Sequence, residues 1–250
     1  MGAVHFSIDP RLLALFQSKL GIQVFVETGT FHGDSIASAI PFFHTIYSVE
    51  LSETLANEAR ERFKDHSQVH IDCNSSDTWL LKIQPQVAQL PTLYWLDAHW
   101  CAATDTASIT SQCPLINEIN AITTLSPQSI IVIDDARLFL TTPPKPHEVS
   151  QWPQFHDILT ALQKLSSQHR IMVLNDCIIY YPALLEPDLT LFAYEHGVDW
   201  NIIYNDRREV AALDAELVAK EKIIQELITQ NHLLNEKINS FSKLRRLLKL

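Results

Sequence analysis

Three carboxylates and a histidine follow two apolar runs. One run reads Leu93-Tyr94-Trp95-Leu96-Asp97-Ala98-His99, the other Ile131-Val132-Ile133-Asp134-Asp135-Ala136-Arg137. If the runs are neighbouring strands of a parallel sheet, Asp97, Asp134 and Asp135 gather at its carboxyl edge, where such sheets bind ligands. Carboxylates that close repel one another unless a cation neutralises them. An all-oxygen set favours a hard ion such as Mg2+, with waters or substrate hydroxyls completing an octahedron. His99 is the nearest candidate base, because imidazole titrates near neutral pH, and it is equally a structural neighbour of the acids. The competing reading has one Asp capping the next helix and another pairing with Arg137. That accounts for one acid more easily than for all three.

A second constellation lies upstream. The run Ile22–Val26 leads into Glu27-Thr28-Gly29-Thr30-Phe31-His32-Gly33-Asp34-Ser35. A glycine-bearing turn between strand and helix lets a ligand approach the backbone and meet helix N–H groups. Two glycines are too few for the dinucleotide fingerprint G-x-G-x-x-G. The next run, Tyr47-Ser48-Val49-Glu50, ends in an acid 23 residues after Glu27. A carboxylate there can accept both hydroxyls of a ribose.

On these residues the chain resembles the class I S-adenosylmethionine-dependent methyltransferases over roughly residues 20–195. Their first motif has the form E-x-G-x-x-x-G, and their second strand ends in an acidic ribose-binding residue. The resemblance implies that Glu27, Gly29, Thr30, Gly33 and Glu50 bind the cofactor, Gly29 under its methionine part and Glu50 on its ribose. Asn74 stands where the family often has an Asp near the adenine amino group, and is a departure from the pattern. The acids after the later strands are similar to those of metal-dependent O-methyltransferases of the catechol and macrocin (sugar) types. By position that makes Asp97, Asp134 and Asp135 the Mg2+ ligands, with His99 and Asp97 the catalytic pair. The implied activity is Mg2+-assisted methyl transfer from S-adenosylmethionine to a hydroxyl of a sugar, glycan or small molecule. The alternative is a catalytically silent Rossmann-like module for binding and assembly.

These residues need a sheet to position them, and the pattern supplies one. Apolar runs at Thr45–Val49, Val69–Asp72, Thr92–Leu96, Ser129–Ile133 and Ile171–Leu174 alternate with helical stretches, best seen at Glu53–Lys64 and Pro114–Leu125. Alternating strands and helices indicate an α/β fold with a doubly wound, parallel, Rossmann-like sheet. Asp9-Pro10 reads as the cap and first turn of a leading helix that Gly21 ends. Asn175-Asp176 between Ile171–Leu174 and Cys177–Tyr181 marks a hairpin. An antiparallel last strand is a feature of the methyltransferase sheet. Trp100 to Cys113 reads as a polar loop over the site, suited to a lid or to plain surface.

Composition narrows the class. Of 250 residues, 46% are apolar and 19% charged, which suits a globular chain. No apolar run nears the roughly 18–20 residues of a membrane span, and the N-terminus lacks the pattern of a signal peptide. Both point to the cytoplasm. The cysteines lack CxxC spacing, so neither zinc nor a disulfide framework is indicated. Net charge is −10, and since residues 206–250 carry nine basic against seven acidic side chains, the body is more acidic still. Nucleic acid is excluded as a partner on that ground.

The chain divides into a methyltransferase-like domain, 1–205, and a coiled-coil helix, 206–250. With Val210 at heptad position a, nine of twelve a/d sites through Leu248 are apolar, and the segment has no Gly or Pro. Such a seam predicts a coiled coil. Asn231, at an a position between Leu227 and Leu234, favours a parallel homodimer. The ending Lys243–Leu250 alternates basic and apolar residues, a pattern compatible with weak contact to an anionic membrane.

Overall fold

The computed structural model describes residues 8–100 and 111–247. The polar loop between Trp100 and Cys113 falls mostly outside these residues, as does Leu248 of the heptad seam. Two compact units are present, residues 1–197 and 198–250.

The first unit is a seven-stranded mixed sheet with helices on both faces. Its strands are β1 (Val24–Thr28), β2 (Thr45–Glu50), β3 (Val69–Cys73), β4 (Thr92–Leu96), β5 (Ile130–Ile133), β6 (His169–Leu174) and β7 (Cys177–Pro182). They lie in the order β3-β2-β1-β4-β5-β7-β6. The first five run parallel, and β7 is antiparallel to both β5 and β6. The sheet is doubly wound and Rossmann-like, with the antiparallel strand that the resemblance implies. Its helices include α1 (Pro10–Leu20), α2 (Asp34–Ala39), α3 (Glu53–Arg62), α4 (Ser76–Val87), α5 (Leu115–Ala121), α6 (Arg137–Leu140), α7 (Phe155–Leu165) and α8 (Glu186–His196).

Alternation along the strands divides the core. Val24, Val26, Ile131 and Ile133 join the cluster under α4, α5 and α7. Phe25, Ile130 and Val132 face the opposite way, into the cluster under α1, α2 and α8. Period-two alternation with both faces apolar is what a parallel sheet covered on both sides requires. β1 begins and ends two residues later than the sequence suggested. Its last two residues, Glu27 and Thr28, are polar yet wholly buried.

The second unit is described by one helix, α9 (Trp200–Leu247). Val210, Leu213, Leu217, Ile224, Leu227 and Leu234 of the heptad seam are exposed along it. Among the described residues no helix is long and apolar enough to cross a membrane.

Candidate functional site

Strand register decides what meets at the carboxyl edge. Thr28 of β1 pairs with Val49 of β2 and Leu96 of β4, and Leu96 pairs with Ile133 of β5. The next residue on each strand is therefore Gly29, Glu50, Asp97 and Asp134, in one row. Backbone hydrogen bonds hold the row: Gly29 N donates to Val49 O at 3.0 Å, Asp97 N to Thr28 O at 3.1 Å and Asp134 N to Leu96 O at 3.2 Å. A cavity of about 350 Å3 opens over this edge, lined among others by Gly29, Glu50, Asn74, Asp97, His99 and Trp100.

On the β1–β2 side, the turn from Gly29 to Gly33 folds back onto Glu50. Glu50 Oε2 accepts from Phe31 N and Oε1 from Ser52 N, both at 2.9 Å. Each oxygen keeps a further lone pair for a ligand hydroxyl. Gly29 is required by its neighbours: a Cβ there, at φ 84°, would stand 2.4 Å from the Asp97 carbonyl oxygen. Gly33 caps α2 at φ 80°, where a Cβ would meet the Phe63 ring at 2.5 Å. Asn74 lines the cavity, its Oδ1 accepting from Ser75 N at 2.8 Å.

Glu27, Thr30 and Gly33 support the turn from behind instead of facing the cavity. Ser48 Oγ donates to Glu27 Oε2 at 2.6 Å and lies 2.6 Å from Thr30 Oγ1. Burial pushes the Glu27 carboxyl up to about 8, with the Asp97 and Glu50 charges adding and Ser48 opposing. At neutral pH it is largely a neutral acid inside the sheet.

On the β4–β5 side, the acids are crowded. Asp135, in the left-handed region at φ 55°, places Oδ2 3.0 Å from His99 Nε2 and Oδ1 2.5 Å from Arg137 Nη1. Burial alone would raise Asp135, but His99 and Arg137 hold its carboxyl well below the usual range. Burial alone would lower His99, and the surrounding Asp135, Asp97 and Asp134 outweigh it and raise the imidazole. Asp97 is raised by burial, with His99 opposing and the Asp135 charge adding. Asp134 is pushed up to about 8 by burial and by the Asp97 and Asp135 charges. Its Oδ1 accepts from Asp135 N at 2.8 Å.

The expected Mg2+ ligand set is not assembled. Of Asp97, Asp134 and Asp135, only Asp97 lines the cavity, and both oxygens of Asp135 are engaged by His99 and Arg137. Among the described residues no three acidic, histidine or cysteine side chains are arranged to hold a metal ion. Of the three acids Asp135 has side-chain cations instead, Arg137 on Oδ1 and His99 on Oδ2.

Glu118 was not singled out in the sequence. It sits on α5, almost wholly buried, and is pushed up to about 7 by burial, with Ser76 and Thr28 opposing through hydrogen bonds and charges on His99 and Asp97 nearby. The signal was available: Leu115, Ile119 and Ile122 mark the inner face of that helix, and Glu118 falls on it.

No protein-family model matches the chain, and no curated protein does. Solved structures similar to it include the O-methyltransferase TomG from Streptomyces achromogenes in complex with SAM, at 17% identity over 69% of this chain and 78% of that one, TM-score 0.49. An O-methyltransferase from Bacillus cereus in complex with SAH is similar at 15% identity over 68% and 78%, TM-score 0.49. DesVI of Streptomyces venezuelae is similar at 10% identity over 72% and 93%, TM-score 0.48.

Proposed function

We propose that this chain is an S-adenosylmethionine-dependent methyltransferase acting on a hydroxyl of a sugar, glycan or other small molecule. One observation carries the reading: a single cavity has a ribose-capable carboxylate, Glu50, on one side and a carboxylate-bound histidine, His99, on the other. The cofactor, when bound, supplies an electrophilic methyl group on a sulfonium. Gly29 leaves room at the turn, and Glu50 offers lone pairs to the two ribose hydroxyls. With Nε2–H directed at Asp135, the basic lone pair of His99 is on Nδ1. There it would take the proton of the acceptor hydroxyl that the methyl group replaces.

No step of this reading runs through Mg2+, since Asp135, one of the expected ligands, is already paired with Arg137 and His99. Calorimetry with S-adenosylmethionine tests the cofactor, and absence of binding refutes the methyltransferase reading. Methyl transfer to a confirmed acceptor in Mg2+ and in EDTA tests the metal: equal rates are expected, and loss of turnover in EDTA restores it.

The exposed apolar seam of α9 favours a second, coexisting role in assembly. A parallel homodimer through this helix gives a light-scattering mass twice the 28.5 kDa of the chain. A monomer at micromolar concentration sinks it, and binding of the full chain to anionic vesicles decides the membrane contact.

A further inference from the structure

The β6–β7 hairpin turns on Asn175 and Asp176, both at positive φ, 49° and 69°. The second position of such a turn favours glycine. Asp176 is nonetheless buried, and its oxygens are committed. Its carbonyl accepts from Ala136 N at 2.6 Å and its Oδ1 from Arg137 N at 2.9 Å. Its Oδ2 pairs with Arg137 Nη1, the same nitrogen that reaches Asp135 Oδ1 at 2.5 Å. Asp135 Oδ2 then meets His99 Nε2 at 3.0 Å. Hydrogen bonds thus run from the hairpin tip to the cavity wall through Asp176, Arg137, Asp135 and His99.

We propose that Asp176 is a positioning residue: by holding Arg137 against Asp135 it fixes the carboxylate that orients His99. A turn needing only its shape is better served by glycine. What glycine lacks is the carboxylate that receives both the backbone and the side chain of Arg137. Without that anchor Arg137 is free to swing outward. Asp135 then loses the partner on Oδ1 that holds its plane, and with it the alignment of Oδ2 on Nε2. Asp97, Asp134 and Glu118 also face His99, but none replaces this clamp, since none has a hydrogen bond to its ring as short as that of Asp135. The consequence for catalysis rests on the methyltransferase reading; the geometry of His99 does not.

The test uses the full chain labelled with 15N, with His99 assigned by comparison with His99→Gln. In the unmodified protein, read at a pH high enough for the imidazole to be neutral, the ring should show one tautomer and a slowly exchanging Nε2 proton. Asp176→Gly should fold, since it relieves the turn, yet lose that proton and mix the tautomers. Arg137→Leu should lose it too. Asp176→Asn, which keeps an acceptor for Arg137 N but not the charge, should fall between. With an acceptor that the protein methylates, kcat should drop about 10- to 100-fold in Asp176→Gly with cofactor KM little changed, the size of effect that outer-shell partners have on a site. An unchanged His99 spectrum in folded Asp176→Gly and Arg137→Leu overturns the proposal. If the glycine variant does not fold, an unchanged spectrum in Asp176→Asn does. Failure of the unmodified protein to bind S-adenosylmethionine would refute the proposed function and leave this spectral test intact.

Discussion

On the β1–β2 side of the cavity, Glu50 is a carboxylate served by backbone: its oxygens accept from Phe31 N and Ser52 N, and among the described residues no ion pair to it is present. On the β4–β5 side, carboxylates serve one another's neighbours. Asp97, Asp134 and Asp135 stand together, relieved by His99 and Arg137. The same residue type at the same strand position thus does two jobs. Backbone donors fix an acid without neutralising it, which leaves a rigid acceptor for a ligand. Side-chain cations fix an acid by sharing a proton or a charge, which makes a group able to exchange protons. The comparison predicts that changes on the first side alter affinity and changes on the second alter rate.

The largest expected effect is on the second side. His99→Gln keeps size and polarity but removes the base. The loss in kcat should be about 10^2- to 10^4-fold, the usual share of general base catalysis. Cofactor affinity by calorimetry should stay the same. A loss of affinity as large as the loss of rate would dissolve the distinction between the two sides.

Gly29→Ala strikes where the sides touch, since its Cβ would run into the Asp97 carbonyl at 2.4 Å and the backbone there is left-handed at φ 84°. Strain and overpacking together cost about 3 kcal/mol. Thermal melting should show a clear drop in stability and calorimetry a loss of cofactor binding. Gly33→Ala should be milder, because it meets the Phe63 ring, a side chain that can move. Equal melting temperatures for Gly29→Ala and the unmodified chain would show that the β1 turn is not pinned against β4.

What the sequence made legible follows the same physics. Parallel strands buried on both faces are apolar runs, so the strands were readable, and register then aligned Gly29, Glu50, Asp97 and Asp134 without further information. β1 runs two residues past its apolar run because the polar Glu27 and Thr28 belong to the strand and are buried with it. Glu27 stays in the sheet as a neutral acid on Ser48, a partner supplied by another strand. Asp135 is readable as part of an acidic cluster, and a pairing of one acid of that cluster with Arg137 is the competing reading; which acid pairs, and that the same carboxylate also holds His99, is not readable. That depends on its left-handed backbone and on Asp176, 41 residues later in the chain. Glu118 was overlooked because a charged residue in a short helix is usually on the wet face. Only the positions of Leu115, Ile119 and Ile122 reveal that this one is not.

Glu50→Ala should be smaller than either change above. It removes the ribose acceptor and unties Phe31 and Ser52, weakening the cofactor by about 1–3 kcal/mol. Glu50→Gln retains one acceptor oxygen and should lose less. If the proton-exchanging side is separate, kcat at saturating cofactor should be nearly unchanged in both. Unaltered cofactor affinity in Glu50→Ala would remove the ribose role.

The smallest effect concerns Glu27, which lies on the first side but is buried like the second. Its folded pKa, raised to about 8 chiefly by burial, exceeds the ordinary carboxylate value. Between the two values the folded protein keeps a proton that the unfolded chain has released. That proton's contribution is present in full below about pH 4.3, the unfolded value, and is lost as pH rises to about 8. Asp134, raised to about 8, and Glu118, raised to about 7, act with the same sign, and so does the raised His99. The melting temperature should therefore fall from pH 5 to pH 8. Glu27→Gln cannot ionise and keeps an oxygen for the Ser48 hydroxyl. Its amide also adds a donor, which shifts stability by an amount independent of pH, so the slope is the quantity to read. The variant's melting curve should fall less steeply than that of the unmodified chain, the difference between them changing in the variant's favour as pH rises. Parallel curves across that range would mean that Glu27 ionises in the folded protein as it does in the unfolded chain, and would remove its role as a neutral acid inside the sheet.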